Sequence, residues 1–231
     1  MTFKVVGTGS SGNCYLLCGR HETLVIETGV KFIEVKKALN FDLSSIVGCV
    51  CSHEHLDHAK YVSEFKNAGI PVLGCENIHP SKVVEPGKGY KVGGFRIMPL
   101  SVDHDCPCFA YIISHDEMGK MVFITDTMTF NYDIPGVNHL VIEANYDDDT
   151  LNQNVEMGLL DPSLRNRIVQ SHLSLDTAID TAKNIFNTHL YNLIYVHLSG
   201  GNSDVNTFIA KTRRQIGMTP IIAKKGLCID L

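Results

Sequence analysis

No lysine- or arginine-rich block runs through this chain, and its formal net charge is −5. Gripping long duplex DNA through its phosphates calls for a strong basic bias, so composition argues against such a partner. A nucleic-acid substrate is expected to be short, single-stranded or held mainly at one site. The pairs Arg213 with Arg214 and Lys224 with Lys225 read as solvated surface. The opening MTFKVVGTGSSGN has no basic segment ahead of an apolar core, so no secretory signal is expected. No apolar run is long enough to cross a bilayer, which argues against a membrane protein. The 8 cysteines form no CxxC pair, although Cys49 with Cys51 and Cys106 with Cys108 each stand one residue apart. In a strand that spacing puts two thiols on one face. Free, mostly buried thiols in a cytoplasmic protein are the expectation. No linker divides the 231 residues, and a single domain over residues 1–231 is expected.

What is present is a core. The chain is 44% hydrophobic and 19% charged, enough to fill a sizeable interior. FKVV, CYLLC and TLVIE, separated by GTGSSGN and GRHE, predict a β-meander. Residues 31–39 place Phe32, Val35 and Leu39 on one helical face, and SIVGCVCS reads as a buried strand. Ala59, Val62, Phe65 and Ala68 predict a short helix stopped by Gly69. PVLGC, YKVGGFRIMPL, CFAYIIS, KMVFITD and HLVIEAN follow as strands, and helices dominate from Asp147 onward. The clearest helix begins at the N-cap Ser174 and carries Leu175, Ala178, Ile179, Ala182, Ile185 and Phe186 on one face. LIYVH and GLCIDL are strands flanking a last helix in SDVNTFIAKTRRQIG. Two face-to-face sheets with helices outside accommodate this order, although periodicity alone does not choose that α/β layout over others.

The stretch CSHEHLDHAK, residues 51–60, follows the buried strand directly. It sets His53 and His55 on one side of an extended turn, with Asp57 and His58 at a helix start. Imidazoles and carboxylates at this spacing can converge on two adjacent cations. Further candidates emerge at the ends of later apolar strands: His104 in SVDHD, Asp126 in FITDT and His197 in IYVHLS. His21, His79, His115, His139 and His189 have no partner pattern and read as surface or structural residues.

These segments resemble the metallo-β-lactamase superfamily, whose HxHxDH signature matches HEHLDH. Within it the chain is most similar to the small YycJ/WalJ-type metal-dependent hydrolases, through GTGSSGNCYLL, SHEHLDH, VDHD, FITDT, IEANYDDDTL, SHLSLD and HLSGGN. The resemblance implies a four-layer αβ/βα sandwich of two mixed sheets with helices outside and the metals at one edge. It implies two divalent ions, Zn²⁺ or Mn²⁺. His53, His55 and His104 would serve one, Asp57, His58 and His197 the other, with Asp126 between them. Glu27 stands where the family usually has aspartate, and Tyr146 where relatives often have histidine.

The chemistry implied is hydrolysis by a metal-activated hydroxide, with Asp57 orienting the nucleophile. His172 in SHLSLD stands apart from the implied ligands and can protonate a leaving alkoxide. The N–H groups at Ser174 could bind an oxyanion, and Asn13 could reach the site; both are candidate substrate-binding residues. The expectation is a dinuclear phosphodiesterase, a nuclease acting on single-stranded or short nucleic acid or on nucleotides. A thioester or lactone hydrolase of the glyoxalase II type shares the ligands but does not need His172. A non-catalytic binding protein on the same scaffold is a third reading, and such proteins commonly lose ligands.

Overall fold

A computed structural model describes residues 1–186 and 189–231. The predicted meander is β1 (Thr2–Gly7), β2 (Cys14–Cys18) and β3 (Thr23–Ile26), paired antiparallel. Next, α1 (Phe32–Ala38) buries Phe32 and Val35, and β4 (Ile46–Val50) returns parallel to β3. The single helix expected after Asp57 is instead two short ones, α2 (Leu56–Ala59) and α3 (Val62–Asn67). The break has a tertiary cause: the Tyr61 N–H donates to the Thr28 carbonyl at 3.1 Å. Two short strands, β5 (Val72–Gly74) and β6 (Lys82–Val83), extend the sheet in parallel.

The stretch YKVGGFRIMPL is not one strand but a hairpin of β7 (Tyr90–Val92) and β8 (Phe95–Val102). Its turn uses Gly93 at φ +57°, which an L side chain rarely adopts. β9 (Cys108–His115) and β10 (Gly119–Ile124) continue antiparallel, after which β11 (His139–Glu143) runs parallel to β10. Then come α4 (Asp148–Glu156), α5 (Pro162–Ser171) and α6 (Leu175–Ile185). β12 (Asn192–Val196), α7 (Val205–Ile216), β13 (Ile221–Ile222) and β14 (Cys228–Asp230) complete the order. Asp147, Asp161, Ser174 and Asp204 cap the four long helices, each side chain accepting a backbone N–H of its first turn. Phe186 leaves the expected face of α6: it is the C-cap residue, with non-helical ψ 127°, and is 48% exposed.

The strands form two seven-stranded sheets, ordered β14-β1-β2-β3-β4-β5-β6 and β13-β12-β11-β10-β9-β8-β7. They pack face to face: Phe3, Tyr15 and Leu24 of one share a core with Tyr111, Phe123 and Val141 of the other. A second core lies between the outer face of the second sheet and α6 and α7, centred on Ile142, Ile179, Tyr195 and Phe208. This is the expected sandwich of mixed sheets. β11 is buried at all five residues, as a strand covered on both faces must be. All 8 cysteines are free; Cys228 is exposed, Cys18 and Cys106 are half-buried, and the rest are buried. Among the described residues no helix is long and apolar enough to cross a membrane.

Candidate metal centre and cleft

The parallel halves of the two sheets end at a common edge, and each strand there hands a polar group to it. Glu27 follows β3, His53 follows β4, Asp126 follows β10, Glu143 ends β11 and His197 follows β12. Clefts outside the carboxyl ends of parallel strands are where open α/β sheets bind ligands. Glu27, Asp126 and His197 all have left-handed backbones, at φ 68°, 47° and 54°. That conformation costs a non-glycine residue on the order of 1–3 kcal/mol, and here it turns three side chains off their strands toward one edge. The motif helix α2 is held from behind. The Asn13 N–H donates to the Asp57 carbonyl and the Thr28 N–H to the His58 carbonyl, both at 2.7 Å. Gly29 packs so tightly beneath that an added Cβ would lie 1.7 Å from the Asp57 carbonyl oxygen.

Donor atoms converge in four overlapping groups among the described residues, two of which hold the expected ligands: His53, His55, His104 and Asp126, and Asp57, His58, Asp126 and His197. Within each, every donor atom lies within 4.8 Å of the others. His55 Nδ1 and His104 Nε2 are 3.3 Å apart, and His53 Nε2 is 3.5 Å from Asp126 Oδ2. In the second group His58 Nε2 is 3.2 Å from Asp126 Oδ2, and His197 Nε2 is 3.2 Å from Asp57 Oδ2. A tetrahedron with ligand bonds of about 2.0–2.1 Å has edges of roughly 3.3–3.4 Å. These spacings therefore fit cations held between the donors, and Asp126 Oδ2 is common to both groups. His53 Nε2 and His104 Nδ1 are buried without a hydrogen-bond partner. For His53 the fit is completed by Ser52 Oγ, 2.8 Å from Nδ1, which can fix the proton there and leave the Nε2 lone pair free.

Charge follows the same division. Burial, reinforced by the neighbouring His58, holds the His53 pKa well below the ordinary imidazole value, so it stays neutral. Burial likewise lowers His104. For Asp57, burial opposes ionisation, but hydrogen bonds with His197 and His58 hold its pKa below the usual carboxylate range. For Asp126 burial is again outweighed, here by the charges of His197 and His58. The expected departure Glu27 is fully buried; it accepts from the Ser52 N–H at 3.2 Å and lies 3.5 Å from His58 Nδ1.

The edge opens into a cleft of about 400 Å³. His55, Asp57, His104, Asp126, His172 and His197 all line it. His172 is the C-cap residue of α5, with Nδ1 2.7 Å from Glu143 Oε1. Burial lowers its pKa, but the Glu143 carboxylate more than reverses this and raises it above the ordinary value. The two residues expected to touch substrate lie elsewhere. Asn13 is fully buried and does not line the cleft; its Nδ2 lies 3.0 Å from His58 Nε2, the nitrogen that also faces Asp126, and its Oδ1 accepts from the Gly9 N–H and the Tyr15 hydroxyl. Ser174 is buried and spends its hydroxyl on the Thr177 N–H. Three N–H groups of that turn are likewise used internally, Leu173 on Glu143 Oε2, Leu175 on the Tyr146 carbonyl and Thr177 on Ser174 Oγ.

Sequence reasoning misses Glu143 and the cleft face of α5. Glu143 carried a readable signal, an acidic residue ending an apolar strand as Asp126 and His197 also nearly do. His115 and His139, read as structural, are so: His115 Nε2 is 2.8 Å from Glu22 Oε1, and His139 lies between the Met118 carbonyl and Asn192.

Comparison with known proteins agrees with this geometry. Residues 7–95 match the model of the metallo-beta-lactamase superfamily. Exodeoxyribonuclease YycJ of Bacillus anthracis is 23% identical over 97% of this chain and 90% of its own. The metallo-β-lactamase-fold protein YhfI of Bacillus subtilis superposes with a TM-score of 0.76 at 18% identity, over 99% of both chains. A diphosphatase of the PhnP family gives a TM-score of 0.71 at 15% identity, over 100% of this chain and 97% of that one. The fold is that of the metallo-β-lactamase sandwich, and residues 7–95, which hold the HxHxDH motif, match the metallo-β-lactamase superfamily.

Proposed function

We propose that this chain is a dinuclear metal-dependent phosphodiesterase, a nuclease acting on single-stranded or short nucleic acid or on nucleotides. The observation that carries the reading is a division of labour in one cleft. Two donor groups share Asp126, while His172 stands beside them against Glu143, a carboxylate it shares with His197. His53, His55, His104 and Asp126 would hold one ion, and Asp57, His58, His197 and Asp126 the other. Such ions, when bound, supply Lewis acidity and a water of lowered pKa. Asp57, which lines the cleft, orients the attacking group through its proton. Glu143 accepts the His172 Nδ1 proton and its charge favours the imidazolium, whose Nε2–H then donates to the departing oxygen and leaves a neutral ring. An alkoxide leaves poorly without such a donor, whereas a thiolate does not need one. A cleft of about 400 Å³ suits a nucleotide-sized ligand. The names of two similar proteins, an exodeoxyribonuclease and a diphosphatase, are in line with a phosphate ester as substrate.

The test is metal analysis joined to a substrate panel. Protein saturated with Mn²⁺ or Zn²⁺ is assayed on bis-p-nitrophenyl phosphate, labelled single-stranded DNA and RNA, and a thioester. Two ions per chain are expected, lost to one or none in Asp126→Ala, with Mn²⁺ serving as well as Zn²⁺ at this thiolate-free donor set. One ion per wild-type chain overturns the dinuclear assignment. Thioester turnover without phosphodiester turnover overturns the reaction class.

A further inference from the structure

We infer that Arg167 grips a second phosphate of the substrate, next to the one being hydrolysed, and so selects nucleotide chains over isolated phosphodiesters. The inference rests on the phosphodiesterase reading. α5 presents Leu164, Arg167, Ile168 and Ser171 to the cleft, positions i, i+3, i+4 and i+7 on a single helical face. The cleft continues past His104, Arg167 and Ser171 into an outer lobe of about 800 Å³ that also meets Asp103 and Asp105. Arg167 therefore stands at the junction of the two lobes. Among the described residues it is the only lysine or arginine that lines either of them. Its neighbour Arg165 is tethered to Asn152 and Asn166, whereas the exposed Arg167 has no such tether among the described residues.

A planar guanidinium without a carboxylate partner, at the rim of a site that handles phosphate, is suited to bidentate phosphate binding. Beyond it the outer lobe offers acidic side chains rather than a second cation. One neighbouring phosphate is thus held, and a longer backbone finds no basic track, as the net charge of −5 also indicates. On the cleft side the exposed Leu56 and Leu164 give an apolar surface on which the sugar or base between the two phosphates can lie.

The experiment compares TpT, with one phosphodiester, and TpTpT, in which each scissile phosphate has a neighbour on one side. Metal-loaded wild type, Arg167→Ala, Arg167→Lys and the distant surface control Arg213→Ala are measured, with bis-p-nitrophenyl phosphate as a report of the phosphodiesterase reading. Wild type and Arg213→Ala should favour TpTpT over TpT by about tenfold or more in kcat/KM, mostly through KM. In Arg167→Ala the preference should collapse, and the slope of log kcat/KM against log salt for TpTpT should fall by roughly 0.7, the share of one phosphate contact on a single strand. Arg167→Lys should keep the salt slope and recover part of the preference. A wild-type enzyme indifferent to the second phosphate, or a preference that survives in Arg167→Ala, overturns the inference while leaving the phosphodiesterase reading in place. Absence of turnover on all three phosphodiesters overturns that reading itself.

Discussion

Glu143 accepts from His172: its Oε1 lies 2.7 Å from the His172 Nδ1, at the end of the interior strand β11. The same oxygen is 2.7 Å from Nδ1 of His197, and Oε2 accepts from the Leu173 N–H at 3.2 Å. One fully buried carboxylate therefore orients both late histidines of the cleft. Glu143→Gln keeps the shape but loses the charge, and in either amide orientation an NH₂ group faces a donor. Outer-shell partners of this kind are worth about 10–100-fold in metal affinity or activity. Titration with Mn²⁺ against a competing chelator, together with phosphodiester turnover, should show losses of that size in the variant. Unchanged affinity and turnover would remove Glu143 from the site's support.

Gly29 tests how tightly the motif helix is held. A Cβ there would meet the Asp57 carbonyl oxygen at 1.7 Å and the Asn13 nitrogen at 2.7 Å, both backbone atoms that cannot swing aside. Gly29→Ala must push α2 outward and carry Asp57 and His58 with it. The expected result is a stability loss of about 1–3 kcal/mol from overpacking, accompanied by weaker metal binding. Denaturant unfolding and metal titration check this; a variant with wild-type midpoint and wild-type affinity would show that the loop gives way freely.

What the sequence made legible follows from how local each feature is. His53, His55, Asp57 and His58 sit in six consecutive residues, so their convergence needs one turn and no knowledge of the fold. Asp126 and His197 were readable because an apolar strand delivers each to an edge. Ser174 is a sound N-cap in sequence and in space, yet its burial against Tyr146 is tertiary and removes it from the substrate. Asn13 is misread for the same reason: proximity to the glycine-rich turn does not tell that it is fully buried against His58 and Tyr15. The hairpin inside YKVGGFRIMPL was signalled by its paired glycines but masked by apolar residues on both sides. Arg167 looks in sequence like any surface arginine, because only the packing of α5 over the strand ends turns it toward the cleft.

Glu22 provides a pH-dependent link between the sheets at the end away from the motif. It accepts from the Gly94 N–H at 2.7 Å and lies 2.8 Å from His115 Nε2, so the β2–β3 turn is pinned to the β7–β8 hairpin. Burial alone would raise its pKa, but these partners lower it below the ordinary carboxylate value. A depressed carboxyl contributes stability that is present above the unfolded value and is lost as pH falls through the folded one. Urea unfolding between pH 3 and 7 should therefore show a smaller acid-side loss for Glu22→Gln than for wild type. Parallel pH profiles for the two proteins would mean that the pin has no electrostatic component.

The role of His172 is separable from metal binding by the choice of leaving group. His172 Nδ1 lies 3.9 Å from Asp126 Oδ1, close enough that His172 could itself be counted among the donors with Glu143 and His197. If it delivers a proton instead, His172→Ala should retain both ions yet slow cleavage of an unactivated phosphodiester by about 10²–10⁴-fold. A p-nitrophenolate leaves with little need of protonation, so the same variant should lose much less on a p-nitrophenyl ester. His197→Ala and Asp57→Ala remove donors of the second group, and both substrates should suffer alike in each. Kinetics on the two esters with metal analysis of every variant distinguishes the cases. Equal losses on both esters, with the ions retained, would make His172 a positioning residue. Loss of an ion from His172→Ala would exchange the roles assigned to the two late histidines, and Glu143, 2.7 Å from each, would then orient His172 as the ligand and His197 as the proton donor.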